Sequence, residues 1–204
     1  MAFLEPVHLV GELARLDPLR LEDADGLTEA VRDGRLWELW YTSIPAPEHV
    51  QGDVERRLSE QRTGTVLPFT VRRTDSGAVV GMTTFLNADA ATPRVEIGST
   101  WLARSAQGTG VNAECKLLLL AHAFDVLGCV AVEFRTHWHN HASRAAIARL
   151  GAKQDGVLRS HRRLPDGTLR DTVVFSVIES EWPAVRRGLR HRVALAARRS
   201  ADPS

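Results

Sequence analysis

From Trp101 to Glu114 the chain reads Trp-Leu-Ala-Arg-Ser-Ala-Gln-Gly-Thr-Gly-Val-Asn-Ala-Glu, closing a strand-like stretch and opening a long apolar one. Gly108 and Gly110 allow successive backbone amides to converge on one point. A helix starting near Val111 adds the positive end of its dipole. Such a loop suits a pyrophosphate, although a plain strand-to-helix turn that uses glycine for its φ freedom is spelled the same way. Just upstream, Glu96 stands between Val95 and Ile97. It reads either as a general base on an apolar strand or as the solvent-facing member of an alternating one. His137, His139 and His141 alternate and would share one face if their strand continues that far. Metal ligands, a proton relay and ordinary loop histidines are the three readings. No cysteine or carboxylate completes a metal set there, so none is assigned.

These residues need elements to hold them. Residues 7–21 mix apolar and polar positions and predict a first strand, and Leu27, Ala30 and Val31 set the period of a helix over 23–33. Pro45 and Pro47 break the chain before a polar helix over 49–61. Strands over 68–73, 78–86 and 95–102 form an antiparallel meander, with Thr74-Asp75-Ser76-Gly77 as a hairpin turn and 87–93 turn-like. Residues 111–127 form a helix apolar on most faces, which makes it buried. Cys115 within it reads as packing. A strand over 130–136 leads to a short helix over 143–150, with Ser143 at its N-terminus and Gly151 past its end. Pro165-Asp166-Gly167 then turns the chain between strands near 152–164 and 169–177. The order implies an α+β fold, a mixed sheet flanked by helices.

Gly108-x-Gly110-x-x-Ala113 also fits a dinucleotide fingerprint, with Glu133 downstream for a ribose. That fold wants βαβ units around the loop, whereas a hairpin meander precedes it here. A phosphate loop of the nucleotidase type is excluded because no Gly-Lys-Ser/Thr follows.

The 204 residues carry a net charge of +1, which argues against a strongly basic nucleic-acid binder. The sum hides a division. Six arginines (186, 187, 190, 192, 198, 199) lie in 182–204, leaving 20 basic against 24 acidic residues in 1–181. The expected organisation is one domain over 1–181 followed by a basic helical extension and tail over 182–204. The acidic body would weakly favour cationic amines, and the tail would be a solvated helix or a subunit contact, with attraction to RNA or the ribosome a lesser option. Two cysteines give no disulfide framework, and neither a leader nor a membrane span is legible, so a cytoplasmic protein is expected.

Gln107-x-x-Gly110-x-Asn112 resembles the Q/R-x-x-G-x-G/A signature of the GNAT superfamily of acetyl-coenzyme A-dependent N-acetyltransferases, with Asn112 where the signature has Gly or Ala. The likeness continues at Asn140-x-x-Ser143 and at Ala146-Ile-x-x-Leu150-Gly151-Ala152. It covers about residues 10–180 and is nearest to the RimJ/RimL-like subgroup of ribosomal-protein N-terminal acetyltransferases. The resemblance implies a twisted mixed sheet with a V-shaped splay between two central parallel strands. Pantetheine would pair with backbone at Trp101 and Leu102, and the diphosphate would rest on amides of Gln107, Gly108, Thr109, Gly110, Val111 and Asn112. Asn140 would lie near the acetyl end, and Arg104 would contact a phosphate or stay solvated.

Acetyl transfer to an amine needs a neutral nucleophile, a donor to the oxyanion and a proton for the leaving thiolate. Glu96 is the expected base. The tyrosine that many relatives place after the Asn motif is missing, since the one tyrosine is Tyr41. Ser143 is therefore the expected acid, or simply a helix cap. Trp37, Trp40 and Tyr41 either line the acceptor pocket or pack the core. The expected activity is acetyl-coenzyme A-dependent N-acetylation of a primary amine, on a protein N-terminus or a small molecule. The alternative is a non-catalytic acyl-CoA-binding module on the same fold. No membrane partner and no nucleic acid are expected, and a homodimer is left open.

Overall fold

The structure, a computed structural model, describes residues 3–201. Where one strand over 7–21 is expected, the chain makes a hairpin, β1 (Leu9–Val10) and β2 (Ala14–Pro18). The cause is the buried Glu114. Its Oε1 accepts the Glu12 amide at 2.8 Å, and its Oε2 accepts those of Leu13 at 2.5 Å and Ala14 at 2.6 Å. A Cβ at Gly11 would stand 2.3 Å from the same carboxyl carbon, so only glycine lets the turn close on it. Helices α1 (Ala24–Arg32) and α2 (Val50–Gln61) follow as their apolar period and the proline break dictate.

The meander is β3 (Leu67–Arg73), β4 (Val79–Asp89) and β5 (Arg94–Leu102), paired antiparallel. β4 runs past Leu86 because Asp89 Oδ1 accepts the amides of Ala91 (2.8 Å) and Thr92 (3.3 Å), which moves the turn outward. α3 (Val111–Ala121) continues as a π-helical turn over His122–Val126. β6 (Ala131–His137), α4 (His141–Ala148), the hairpin β7 (Lys153–Arg163) and β8 (Leu169–Ile178), and α5 (Trp182–Ala201) complete the chain. α4 starts earlier than expected. Its cap is Asn140, whose Oδ1 accepts the Ser143 amide at 3.0 Å, so Ser143 is a residue of the first turn.

The strands form one sheet in the order β1-β2-β3-β4-β5-β6-β8-β7. Among the described residues only β5 and β6 are parallel, and they pair at Arg94–Ala131, Val95–Val132 and Glu96–Glu133 and no further. Beyond Glu96 the two strands splay apart. β5 also changes face there: Val95 and Ile97 pack with α3, whereas Trp101 packs with α1 and α2. A bulge makes the exchange, with Ser99 at φ +46° and the β4–β5 register broken opposite it.

α3, α4 and α5 cover one face of the sheet through Leu119, Leu120, Ile147 and Leu189, and α1 and α2 cover the other through Leu27, Val31 and Val54. α5 is solvated only on its arginine side. Trp182, Val185, Leu189 and Val193 enter the core, Trp182 stacks on Phe124 at 5.4 Å, and its Nε1 donates to Asp125 at 3.0 Å. Among the described residues, no helix is long and apolar enough to cross a membrane.

Candidate functional site

The splay opens a cavity of about 850 Å³. Glu96, the last residue of β5 paired to β6, stands at the apex of the fork and lines it. It is 7% exposed. Its Oε2 accepts from Asn87 Nδ2 at 2.8 Å and lies 3.5 Å from Arg135 Nε. Burial raises its pKa above the usual carboxylate value, against the opposing pull of the Asn87 hydrogen bond, Arg135 and Arg162. Gly98 keeps the space beside it, since a Cβ there would sit 3.0 Å from Glu96 Oε1.

One wall of the cavity comes from the end of β5, the loop before α3, and α4. Trp101, Leu102, Gln107, Gly108, Asn112, Asn140 and Ser143 all line it. Gly108, at φ +78°, has open space where a side chain would stand. Gln107 is oriented by its own Nε2, which donates to the Leu102 carbonyl at 3.0 Å. Asn112 Oδ1 and Trp101 Nε1 are buried without hydrogen-bond partners among the described residues. Orphaned polar atoms in a cavity wall are costly unless a ligand meets them, so this wall fits an extended polar cofactor.

Other expected cofactor residues fall elsewhere. Val111 is in the core, Thr109 Oγ1 donates to the Ala106 carbonyl at 2.8 Å, and the exposed Arg104 lies outside the cavity lining. A Cβ on Gly110 would meet Ala196 at 2.4 Å and Leu13 at 2.9 Å, so this glycine makes room for α5 and the first hairpin.

The facing wall comes from α2, the segment before it, β6, β7 and β8. Tyr41 lines it, with Ile44, Arg56, Arg57, His137, Arg162 and Arg170. Trp37 does not: it packs against the α1–α2 core. Trp40 is 62% exposed and sits at the rim with its ring 5.2 Å from that of His137 and 5.5 Å from that of Tyr41. The three histidines do not act as one face. His137 is buried at the end of β6, His139 follows in the turn with its ring 5.5 Å away, and His141 is exposed at the start of α4. Burial, with Arg170 and His139 nearby, lowers the His137 pKa, so it is neutral at pH 7. Among the described residues, no group of three or more His, Cys, Asp or Glu is placed to hold a metal.

Sequence reasoning missed Lys116 and the arginines. Lys116 is buried in the cavity wall, where Nζ donates to Thr100 Oγ1 at 2.8 Å and Thr83 Oγ1 at 3.4 Å, and burial lowers its pKa to about 8. The signal was a lone cation in an apolar helix, four residues after Asn112 and hence on its face. The net charge of residues 1–181 pointed the wrong way: Arg56, Arg57, Lys116, Arg135, Arg149, Arg162 and Arg170 line the cavity against only Glu60 and Glu96. The acidic total resides elsewhere on the molecule. Neither cysteine offers a nucleophile, since burial pushes the Cys115 thiol up to about 12 and Cys129 up to about 11.

A fork between parallel strands, a glycine loop at a helix start and a buried carboxylate together invite comparison with known proteins. Residues 14–153 match the acetyltransferase (GNAT) domain model. The chain is 29% identical over 106 residues to YdaF of Bacillus subtilis (strain 168), which carries the provisional name ribosomal N-acetyltransferase. That match spans 52% of this chain and 57% of the relative, little more than half of either. A GCN5-related N-acetyltransferase from Brucella melitensis is 28% identical, covering 92% of this chain and 86% of its own, with a TM-score of 0.82. The fold is shared with Mycobacterium smegmatis RimJ, solved in complex with CoA-disulfide, at 24% identity, coverage of 95% and 94%, and a TM-score of 0.74. The eight-stranded sheet with its single parallel pair is the sheet expected of these proteins, and the chain belongs to the GNAT acetyltransferase family.

Proposed function

We propose that the protein is an acetyl-coenzyme A-dependent N-acetyltransferase that passes the acetyl group directly to a primary amine. The observation that carries this reading is the fork, where Glu96 stands between a polar cofactor wall and a separate acceptor wall. Acetyl-coenzyme A supplies the activated thioester carbonyl. Backbone amides of 108–112 and the start of α3 hold its diphosphate, with the Gln107 amide already given to the Arg104 carbonyl at 3.1 Å and Gln107 and Gly108 facing the cavity. Beyond Glu96 the edge of β5 has no parallel partner, so backbone near Trp101 and Leu102 is available to the amides of pantetheine.

Glu96 takes a proton from the amine. Its raised pKa brings it nearer to working pH, where a base is most effective. Ser143 is the proposed proton donor to the departing thiolate, and its hydroxyl makes no hydrogen bond among the described residues. Tyr41 and the rim residue Trp40 shape the entry for the amine. A protein N-terminus is one acceptor class, supported by the name given to YdaF, and small amines are the other.

The test is thiol release from acetyl-coenzyme A with a panel of amines and short peptides. Amine-dependent release with formation of an N-acetyl product supports the reading. Tight acetyl-coenzyme A binding with no amine-dependent release would establish the binding-module alternative instead.

A further inference from the structure

The acceptor wall holds two cations with no internal explanation. Arg162 of β7 and Arg170 of β8 are direct cross-strand partners. Like charges placed opposite each other destabilise a strand pair. Only the field of Glu96 offsets their charge: among the described residues neither forms an ion pair, neither makes a side-chain hydrogen bond, and Arg170 Nε is buried without a partner. Of the other cavity arginines, Arg57 pairs with Asp53 at 2.6 Å and Arg135 with Glu133 at 2.8 Å, while Arg149 at the end of α4 is unpaired among the described residues but exposed to solvent. Both unmatched guanidinium groups line the same cavity as Glu96 and act on it electrostatically.

We infer that Arg162 and Arg170 form an anion subsite, and that the acceptor is a primary amine carrying a carboxylate or phosphate. The inference rests on the N-acetyltransferase reading and names its substrate class. A bound anion would turn the repulsion between two opposed cations into two charge-assisted contacts and satisfy the buried Nε–H. With Glu96 the carboxylate they face, an amine bound through its anionic end at this pair presents its nitrogen toward the fork. An amine without an anionic group gains nothing from this wall, and a polycationic one is repelled by it.

The test uses matched amines that differ only in the anion: β-alanine against β-alaninamide, O-phosphoethanolamine against ethanolamine, and the peptide amide Ser-Asp-Ala against Ser-Asn-Ala. Values of kcat/KM are measured for the wild type, Arg170→Gln and the more exposed Arg162→Gln. Binding of the anionic members to the protein saturated with coenzyme A, which carries no acetyl group, is measured in parallel by calorimetry. The wild type should prefer the anionic partner by about tenfold or more, and each variant should lose most of that preference. The pair that shows the largest preference separates phosphate from free carboxylate and from acidic peptide. Equal rates for matched partners, or a preference that survives both substitutions, would overturn the subsite while leaving acetyl transfer intact. Arginine-dependent binding of the anion without any turnover would support the subsite and overturn the acetyl-transfer reading.

Discussion

The two walls of the cavity are built by opposite means. The cofactor wall comes mainly from one continuous run, the end of β5 through the first turns of α3, with backbone amides, Gly108 and Asn112 as its groups. The acceptor wall is assembled from α2, β6, β7 and β8, residues far apart in sequence, and its groups are mainly side-chain charges. Glu96 belongs to both, because the β5–β6 pairing stops at that residue. A constant ligand is met by backbone geometry, which tolerates few spellings. A variable one is met by side chains, which substitution can change without moving the frame.

Substitutions can break or sharpen this contrast, and Glu96→Gln should do most. It keeps the size and the Asn87 contact of the side chain but cannot take a proton, so kcat should fall by about a hundredfold or more with acetyl-coenzyme A affinity retained. In the wild type, kcat should fall as pH drops through the raised Glu96 pKa, and that acid limb should vanish in the variant. Normal rates across pH would remove Glu96 from the chemistry.

Glu114→Gln tests the frame behind the cofactor wall. It takes one acceptor oxygen from the buried and part-buried amides of the first hairpin and should cost about 2 kcal/mol in denaturant unfolding. An unchanged midpoint would show that the hairpin does not depend on it.

The two loop glycines should separate cleanly. Gly108→Glu places a carboxylate where the structure is open to the cavity, and should weaken coenzyme A binding by about tenfold or more, read by calorimetry. Gly110→Asp instead collides with Ala196 and Leu13, and should lower the Tm in the absence of any ligand. The reverse assignment would mean that the loop presents its other glycine to the cofactor.

Lys116→Met carries the smallest effect. A lysine whose folded pKa is about 8, below its unfolded value of 10.5, makes the wild type gain stability as pH rises between those values. The difference in unfolding free energy between wild type and variant should slope in that direction over pH 8–10, and a flat difference would place the ammonium in contact with water.

Much of this was legible before any coordinates. The meander, the buried helix and the glycine loop each have a local cause, whether period, turn residues or backbone freedom, so reading along the chain finds them. The hairpin β1–β2 was not legible, because its cause is Glu114, about a hundred residues away. Asn140 rather than Ser143 caps α4, and its Oδ1 takes the Ser143 amide itself; Asn and Ser are near-equal caps, so residue type does not rank the two positions. The arginine pair was nearly legible. Arg162 and Arg170 lie four residues on either side of Asp166 in the turn, so the hairpin register opposes them. Summed charge concealed it, since a sum has no position.

Direct transfer across the fork is the central claim, and a single-turnover experiment with 13C-acetyl-coenzyme A and an amine tests it most directly. Intact-mass spectrometry should find the label in the N-acetyl amine, equimolar with free coenzyme A, and the protein at its unmodified mass throughout, as two buried, weakly acidic cysteines require. A transiently acetylated protein chain, or thiol release with no labelled amine, would contradict it.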